Sequence, residues 1–149
     1  MDYLETSYVL ALAVKTDINH RAALALEKTV RDPVISELVL VETYTYFSRT
    51  LTPKAGVPQE EFENMVEAMA RYTVRRSQAR LANIDADELL EQAKRYAPKI
   101  RLRTLDLLHL LAAKQIGANR IVTLDHDYAR KAGQARRWLN IEVVAPNTL

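Results

Sequence analysis

The sequence contains no cysteine. That excludes disulfides, zinc–thiolate sites and thiol nucleophiles, and it suits a cytoplasmic setting. Glycine is nearly as scarce, with 3 in 149 residues. A glycine-rich dinucleotide loop or a phosphate-cradling P-loop cannot be built from so few. No apolar run approaches the ~20 residues that span a bilayer, so no membrane is expected. The N-terminus carries Asp2 and Glu5 ahead of Tyr8–Val14, whereas a secretory leader starts positive and has a longer apolar stretch. What remains is 48% hydrophobic and 27% charged, the balance of a soluble globular protein. The length suits one domain, 1–149, able to bury a substantial core.

Charge is small in sum and uneven in place. The net is +2, yet residues 1–70 hold 6 Lys and Arg against 11 Asp and Glu, and residues 71–149 hold 15 against 8. A basic half suits a polyanion partner, and it equally suits solvated helix faces.

Short apolar stretches alternate with helical periodicity along the whole chain. Asp2–Glu5 is expected as the first strand, with Thr6 or Ser7 capping a helix to about Thr16. Asn19 is placed to cap His20–Val30, which Asp32-Pro33 ends. Val34–Ser36 reads as the second strand, and Ser36 as the cap of Glu37–Arg49. After a loop at Leu51–Val57, Pro58 opens a helix to about Arg76, with Glu60 and Glu61 at its positive end. Leu81–Ile84 reads as a short strand, and Asp85 caps a helix through Tyr96 that stops near Pro98. Thr104 caps the next helix, Gly117 ends it, and Arg120–Leu124 is a buried strand. Tyr128–Arg137 and Ile141–Val144 supply the last helix and strand. This alternation implies an α/β fold, three layers deep (α/β/α), with a central short parallel sheet of four to five strands.

In such sheets ligands gather at the carboxyl ends of the strands. Four carboxylates stand at element ends or inside apolar helices: Glu5 closes the first strand, Glu42 interrupts LVLVETY, Asp106 opens a helix and Asp125 closes a strand. Unpaired buried carboxylates are costly. Four at one edge call for something positive among them, and hard oxygen donors without sulfur select Mg²⁺ or Mn²⁺. Such an ion activates water and stabilises charge developing on a phosphoryl group. Taken singly, each could instead pair with an arginine or cap a helix.

Those stretches resemble PIN domains of the VapC type, the ribonuclease toxins of prokaryotic toxin–antitoxin pairs. The motifs are Tyr3-Leu4-Glu5-Thr6-Ser7, Ile35-Ser36 with Val41-Glu42, Asp106-Leu107-Leu108-His109 followed by Ala112-Ala113, and Val122-Thr123-Leu124-Asp125 followed by Asp127 and Tyr128. The resemblance implies a Mg²⁺- or Mn²⁺-dependent nuclease acting on RNA. Glu42, Asp106 and Asp125 would be its catalytic metal ligands, and Asp127 an outer ligand or the orienter of a metal-bound water. Thr6, Ser7, Ser36 and Thr123 would hydrogen-bond the ligands or their water. Glu5 would be a further ligand, where the family usually has Asp. The implied partners are RNA, a cognate antitoxin protein and a second copy of the chain.

Other residues carry two readings. His109 shares a helix face with Asp106 and is read as a packed, hydrogen-bonded histidine before a ligand. His126 is read as loop surface. Arg71, Arg75, Arg76 and Arg80 recur at helical spacing and could track RNA phosphates or face solvent. Arg103 could pair with Asp106 or hold a scissile phosphate. Trp138 and Tyr72 could stack on bases or be buried; Tyr44, Tyr46 and Phe47 are read as core or dimer contact. Two other functions compete with the ribonuclease. One is an RNA- or protein-binding module of the same fold without catalysis. The other is an aspartate-nucleophile phosphatase built on Leu124-Asp125-His126-Asp127, which the 24 residues after Asp125 are too few to complete.

Overall fold

The computed structural model describes residues 1–146. Its centre is β1 (Asp2–Leu4), flanked by β2 (Pro33–Ile35) and β4 (Arg120–Val122), with β3 (Arg80–Leu81) and β5 (Glu142–Val144) outside them. All four pairings are parallel, and Tyr3 stands opposite Val34 on one side and Ile121 on the other. Tyr3, Leu4, Val34, Ile35, Ile121 and Val122 are fully buried, as strands covered on both faces must be.

The order β3-β2-β1-β4-β5 has a consequence for function. The chain winds outward from β1 to β3, then returns to the other side of β1 for β4 and β5. The connections leaving β1 and β4 therefore diverge, and that opens a crevice at their carboxyl ends. Helices cover the sheet in two groups. One holds α1 (Thr6–Ala13), α2 (His20–Glu27), α3 (Glu37–Thr50) and α4 (Gln59–Ser77); the other holds α5 (Ala86–Ile100), α6 (Thr104–Ile116), α7 (His126–Arg130) and α8 (Ala132–Leu139). A smaller cluster of Phe47, Val66 and Ala70 joins α3 to α4. Among the described residues no helix is long and apolar enough to cross a membrane.

Several boundaries differ from the sequence reading, each for a local reason. Glu5, not Thr6 or Ser7, is the N-cap of α1, because its carboxylate accepts the Ser7 N–H. Arg103 holds the N-cap position of α6, and Thr104 is the first helical residue. Ser36 occupies the N-cap position of α3 without a capping bond; its hydroxyl is used elsewhere. The helix expected to stop near Pro98 continues to Ile100. One missing N–H costs less than exposing Tyr96 and Ile100, which are buried. Gly117 ends α6 with φ 82°, the left-handed conformation glycine reaches without strain. The helix expected over Tyr128–Arg137 is two helices that meet at Lys131.

Candidate metal centre

The crevice is an open cleft of about 480 Å³ lined by Glu5, Glu42, Asp106, Asp125, Thr6, Ser7 and Arg103, with Thr104 and Leu105 at its rim. Four elements deliver the carboxylates. Glu5 follows β1, Glu42 lies in the second turn of α3, Asp106 is in the first turn of α6, and Asp125 caps α7 after β4.

Glu5 is buried and held by hydroxyls. Thr123 Oγ1 donates to its Oε2 at 2.9 Å and Ser7 N at 3.1 Å, and the Ser7 hydroxyl donates to the same oxygen. Oε1 receives no donor among the described residues. Burial raises the Glu5 carboxyl above the usual carboxylate range, against the opposing pull of His109 and the Ser7 and Thr123 bonds. Glu42 is anchored in the same one-sided way. Its Oε2 accepts from Thr6 Oγ1 and from His109 Nε2, the latter at 2.6 Å, while Oε1 receives no donor among the described residues. Burial works to raise its pKa, but the bonds from His109 and Thr6 prevail and hold it below the usual range.

His109 is buried. Its Nδ1 lies 2.8 Å from the Tyr3 hydroxyl, which lies 2.6 Å from Ser36 Oγ. A proton on Nε2 satisfies every member of this relay: Ser36 donates to Tyr3, Tyr3 to Nδ1, and Nε2–H to Glu42. The Tyr3 phenol stays protonated, since burial raises its pKa. Glu5, Glu42 and His109 each offer one ligand atom, and these atoms lie within 4.8 Å of one another.

The outer half of the cleft is organised by one cation. Arg103 Nε contacts Asp106 Oδ2 at 3.2 Å, and its Nη2 reaches Asp125 Oδ2 at 3.3 Å and Asp127 Oδ2 at 2.8 Å. Arg130 also binds Asp127. Asp106 is pushed above its ordinary pKa, first by burial and then by Asp125, with Arg103 opposing. Asp125 Oδ1 accepts the Asp127 N–H at 2.7 Å, and the Tyr128 hydroxyl donates to the Asp106 carbonyl at 3.1 Å.

The donor set fits a hard divalent cation. Four carboxylates line the cleft, two of them carry one pinned oxygen and one that receives no donor among the described residues, and His109, with both ring nitrogens engaged by Tyr3 and Glu42, holds Glu42 in place. Pinned ligands of this kind are what metal sites require of their surroundings.

The structure brings Glu5, Thr6, Ser7, Glu42, Arg103, Asp106 and Asp125 to the cleft. Thr123 touches it through Glu5, Asp127 through Arg103, and Ser36 lies behind it through Tyr3. Arg71 instead pairs with Glu67 and Arg76 with Glu27. Arg80 contacts the Met1 sulfur, and Arg75 is exposed. His126 is exposed, Phe47 is core, Tyr72 and Tyr44 are exposed, and Trp138 is partly so. Tyr3 is a site residue to which the motif pattern assigns no role. Its signal was a phenol in an otherwise aliphatic buried strand, where the hydroxyl must find a partner.

The PIN domain family matches residues 3–134, and the chain belongs to that family. No curated protein matches it by sequence. Among solved structures it is similar to the VapC20 toxin of Mycobacterium tuberculosis, described as cleaving the sarcin–ricin loop, with a TM-score of 0.59 and 21% identity over 87% of this chain and 94% of that one. It is also similar to a chain of FitAcB from Neisseria gonorrhoeae, with a TM-score of 0.66 and 17% identity over 100% of both. A third is a chain of VapBC2 from Rickettsia felis bound to promoter DNA, with a TM-score of 0.62 and 18% identity over 97% and 98%. These likenesses show a shared fold.

Proposed function

We propose that this protein is a metal-dependent endoribonuclease that hydrolyses RNA phosphodiester bonds, and that it is the toxin of a toxin–antitoxin pair. The observation that carries the reading is the convergence of Glu5, Glu42, Asp106 and Asp125 on one cleft at the sheet's switch point. Family membership supports nuclease chemistry. Two of the neighbours, one described as a toxin and one as a complex bound to a fragment of its promoter DNA, support the toxin–antitoxin setting. The partners proposed are RNA, an antitoxin and a second copy of the chain.

A bound Mg²⁺ or Mn²⁺ would supply an activated water and charge stabilisation at the scissile phosphate. Glu5, Glu42, Asp106 and Asp125 would hold it, with His109 beside them. The chain's own residues do the rest. Ser7 and Thr123 fix the Glu5 carboxylate, and Thr6 and His109 fix Glu42, so the acidic oxygens need little reorganisation. Asp127, tied to Asp125 through its backbone, orients solvent on the outer side. Arg103 offsets part of the charge of Asp106, Asp125 and Asp127 in the free protein; because it is largely exposed, it can turn toward an incoming phosphate.

The test is cleavage of a mixed RNA pool with and without Mg²⁺ or Mn²⁺. Wild type is expected to cut internally only with metal, and Asp106→Asn or Asp125→Asn to cut not at all while remaining folded. Wild-type cleavage by either variant would overturn the site assignment. No cleavage by wild type in either metal would favour the binding-module alternative.

A further inference from the structure

The positive charge of the second half of the chain is not spread evenly among ion pairs. On α4, Arg71 and Arg76 are paired with glutamates. On α5, α6 and α8 a different arrangement holds. Lys99 Nζ lies 4.8 Å from the Trp138 ring centroid and 5.4 Å from that of Tyr96. Arg95 covers Tyr96 at 5.3 Å, Lys114 does so at 5.8 Å, and Arg137 covers Trp138 at 5.0 Å. None of these four cations has a carboxylate within ion-pair distance among the described residues. Tyr96 is buried beneath them, whereas Trp138 keeps 37% of its surface exposed.

Four cations held on aromatic faces, with no counter-ion among the described residues, form a strip across three helices that pack together. A hollow of about 550 Å³ runs along its α5 end. At the rim of that hollow Glu91 pairs with Lys94, and Glu88 accepts hydrogen bonds from the Gln92 and Gln115 amides. The strip also leads to the cleft. Three residues separate Lys99 from Arg103, so at most about 14 Å of chain joins them, and Arg101 lies exposed between them.

We propose that this α5–α8 strip, and not the arginine row of α4, is the track for the backbone of single-stranded RNA flanking the cleaved bond. The unpaired cations bind phosphates, and the partly exposed Trp138 ring packs against a base, as aromatics of sequence-tolerant single-strand binders do. The proposal rests on the ribonuclease reading above.

The experiment measures anisotropy of a fluorescein-labelled, mixed-sequence single-stranded RNA against the intact protein in EDTA, over a range of salt. Lys99→Gln with Arg137→Gln is expected to weaken binding and to lower the salt slope by roughly 1.4, about 0.7 for each charge. Lys99→Arg should restore most of the affinity, because charge and stacking both persist. Trp138→Phe should bind at least as well as Trp138→Ala, which should lose about five-fold or more. Arg71→Gln with Arg75→Gln should leave the slope unchanged. Equal affinity and slope in Lys99→Gln/Arg137→Gln, in a protein that still cleaves RNA, would overturn the strip and leave the ribonuclease reading standing. A wild type that neither binds nor cleaves RNA would overturn both. Preference for polyglutamate over RNA at the strip would overturn the RNA assignment.

Discussion

Tyr3→Phe tests the relay behind the cleft while leaving every acidic residue in place. Phenylalanine fills the same volume, and Tyr3 is fully buried in the central strand, so the change removes one oxygen and opens no sizeable cavity. That oxygen lies 2.8 Å from His109 Nδ1 and 2.6 Å from Ser36 Oγ. Serine can rotate to another acceptor, but the buried ring nitrogen cannot, and a buried group left unsatisfied costs ~1–3 kcal/mol. At ~2–4 °C per kcal/mol for a chain of this size, the melting temperature should fall by about 2–12 °C. The measurement is urea and thermal unfolding in EDTA, so that bound metal adds nothing. Ser36→Ala alone should cost about 1 kcal/mol, and the double variant should cost less than the sum by ~0.5 kcal/mol or more, because both changes break one relay. His109 positions Glu42, so Tyr3→Phe should also weaken Mn²⁺ binding, which a purely structural hydroxyl would not do. A loss below ~0.5 kcal/mol with strict additivity would refute the relay.

Other expectations follow from the same geometry. Melting temperature should rise with Mn²⁺ or Mg²⁺, by about 2.7 kcal/mol of stabilisation at 100 times the dissociation constant, and Asp106→Asn should shrink the rise; a midpoint indifferent to millimolar Mn²⁺ would argue against a metal site. Glu5→Asp should retain the cap on Ser7 and cleave at least as fast as wild type, with less preference for Mn²⁺ over the geometrically stricter Mg²⁺, whereas Glu5→Gln should slow cleavage; rates against metal concentration decide, and a wild-type Glu5→Gln would remove Glu5 from the ligand set. The Glu27 carboxyl is held below its ordinary pKa, chiefly by its bond from Arg76. A depressed acid contributes stability above its unfolded pKa and loses it as pH falls through the folded value. Arg76→Ala should therefore cost only ~0.2–1 kcal/mol near neutrality, the pair being partly exposed, and nothing once the solution is acidic enough to protonate Glu27; a cost independent of pH would assign the loss to packing.

Much of this protein is written locally. Buried Tyr3-Leu4, Val34-Ile35 and Ile121-Val122 are apolar runs too short for helices, and helical periodicity fills the gaps, so a parallel sheet covered on both faces follows from residue pattern alone. The acidic edge follows as well. Glu5 and Asp125 come directly after strands, and Asp106 opens a helix, so topology carries all three to the carboxyl end of the sheet. Local pattern was weaker at the caps: Glu5 displaced Thr6 and Ser7, and Ser36 gave up its cap for Tyr3, because a side chain's best partner need not be its neighbour in sequence.

Only the tertiary structure chose partners across long separations. His109 finds Glu42 from 67 residues away and Tyr3 from 106. Arg103 gathers Asp125 and Asp127 as well as its helical neighbour Asp106. Of the α4 arginines, legible as a basic row, Arg76 met its partner only when α2 brought Glu27 within reach, whereas Arg71 pairs with Glu67 one turn earlier on the same helix. The unpaired cations that matter to the strip became visible only when α5 and α8 packed Lys99 between Tyr96 and Trp138. Periodicity reports which face of an element is buried. Which charge meets which is decided by how those faces are stacked, because an ion pair is strong only within a few ångströms.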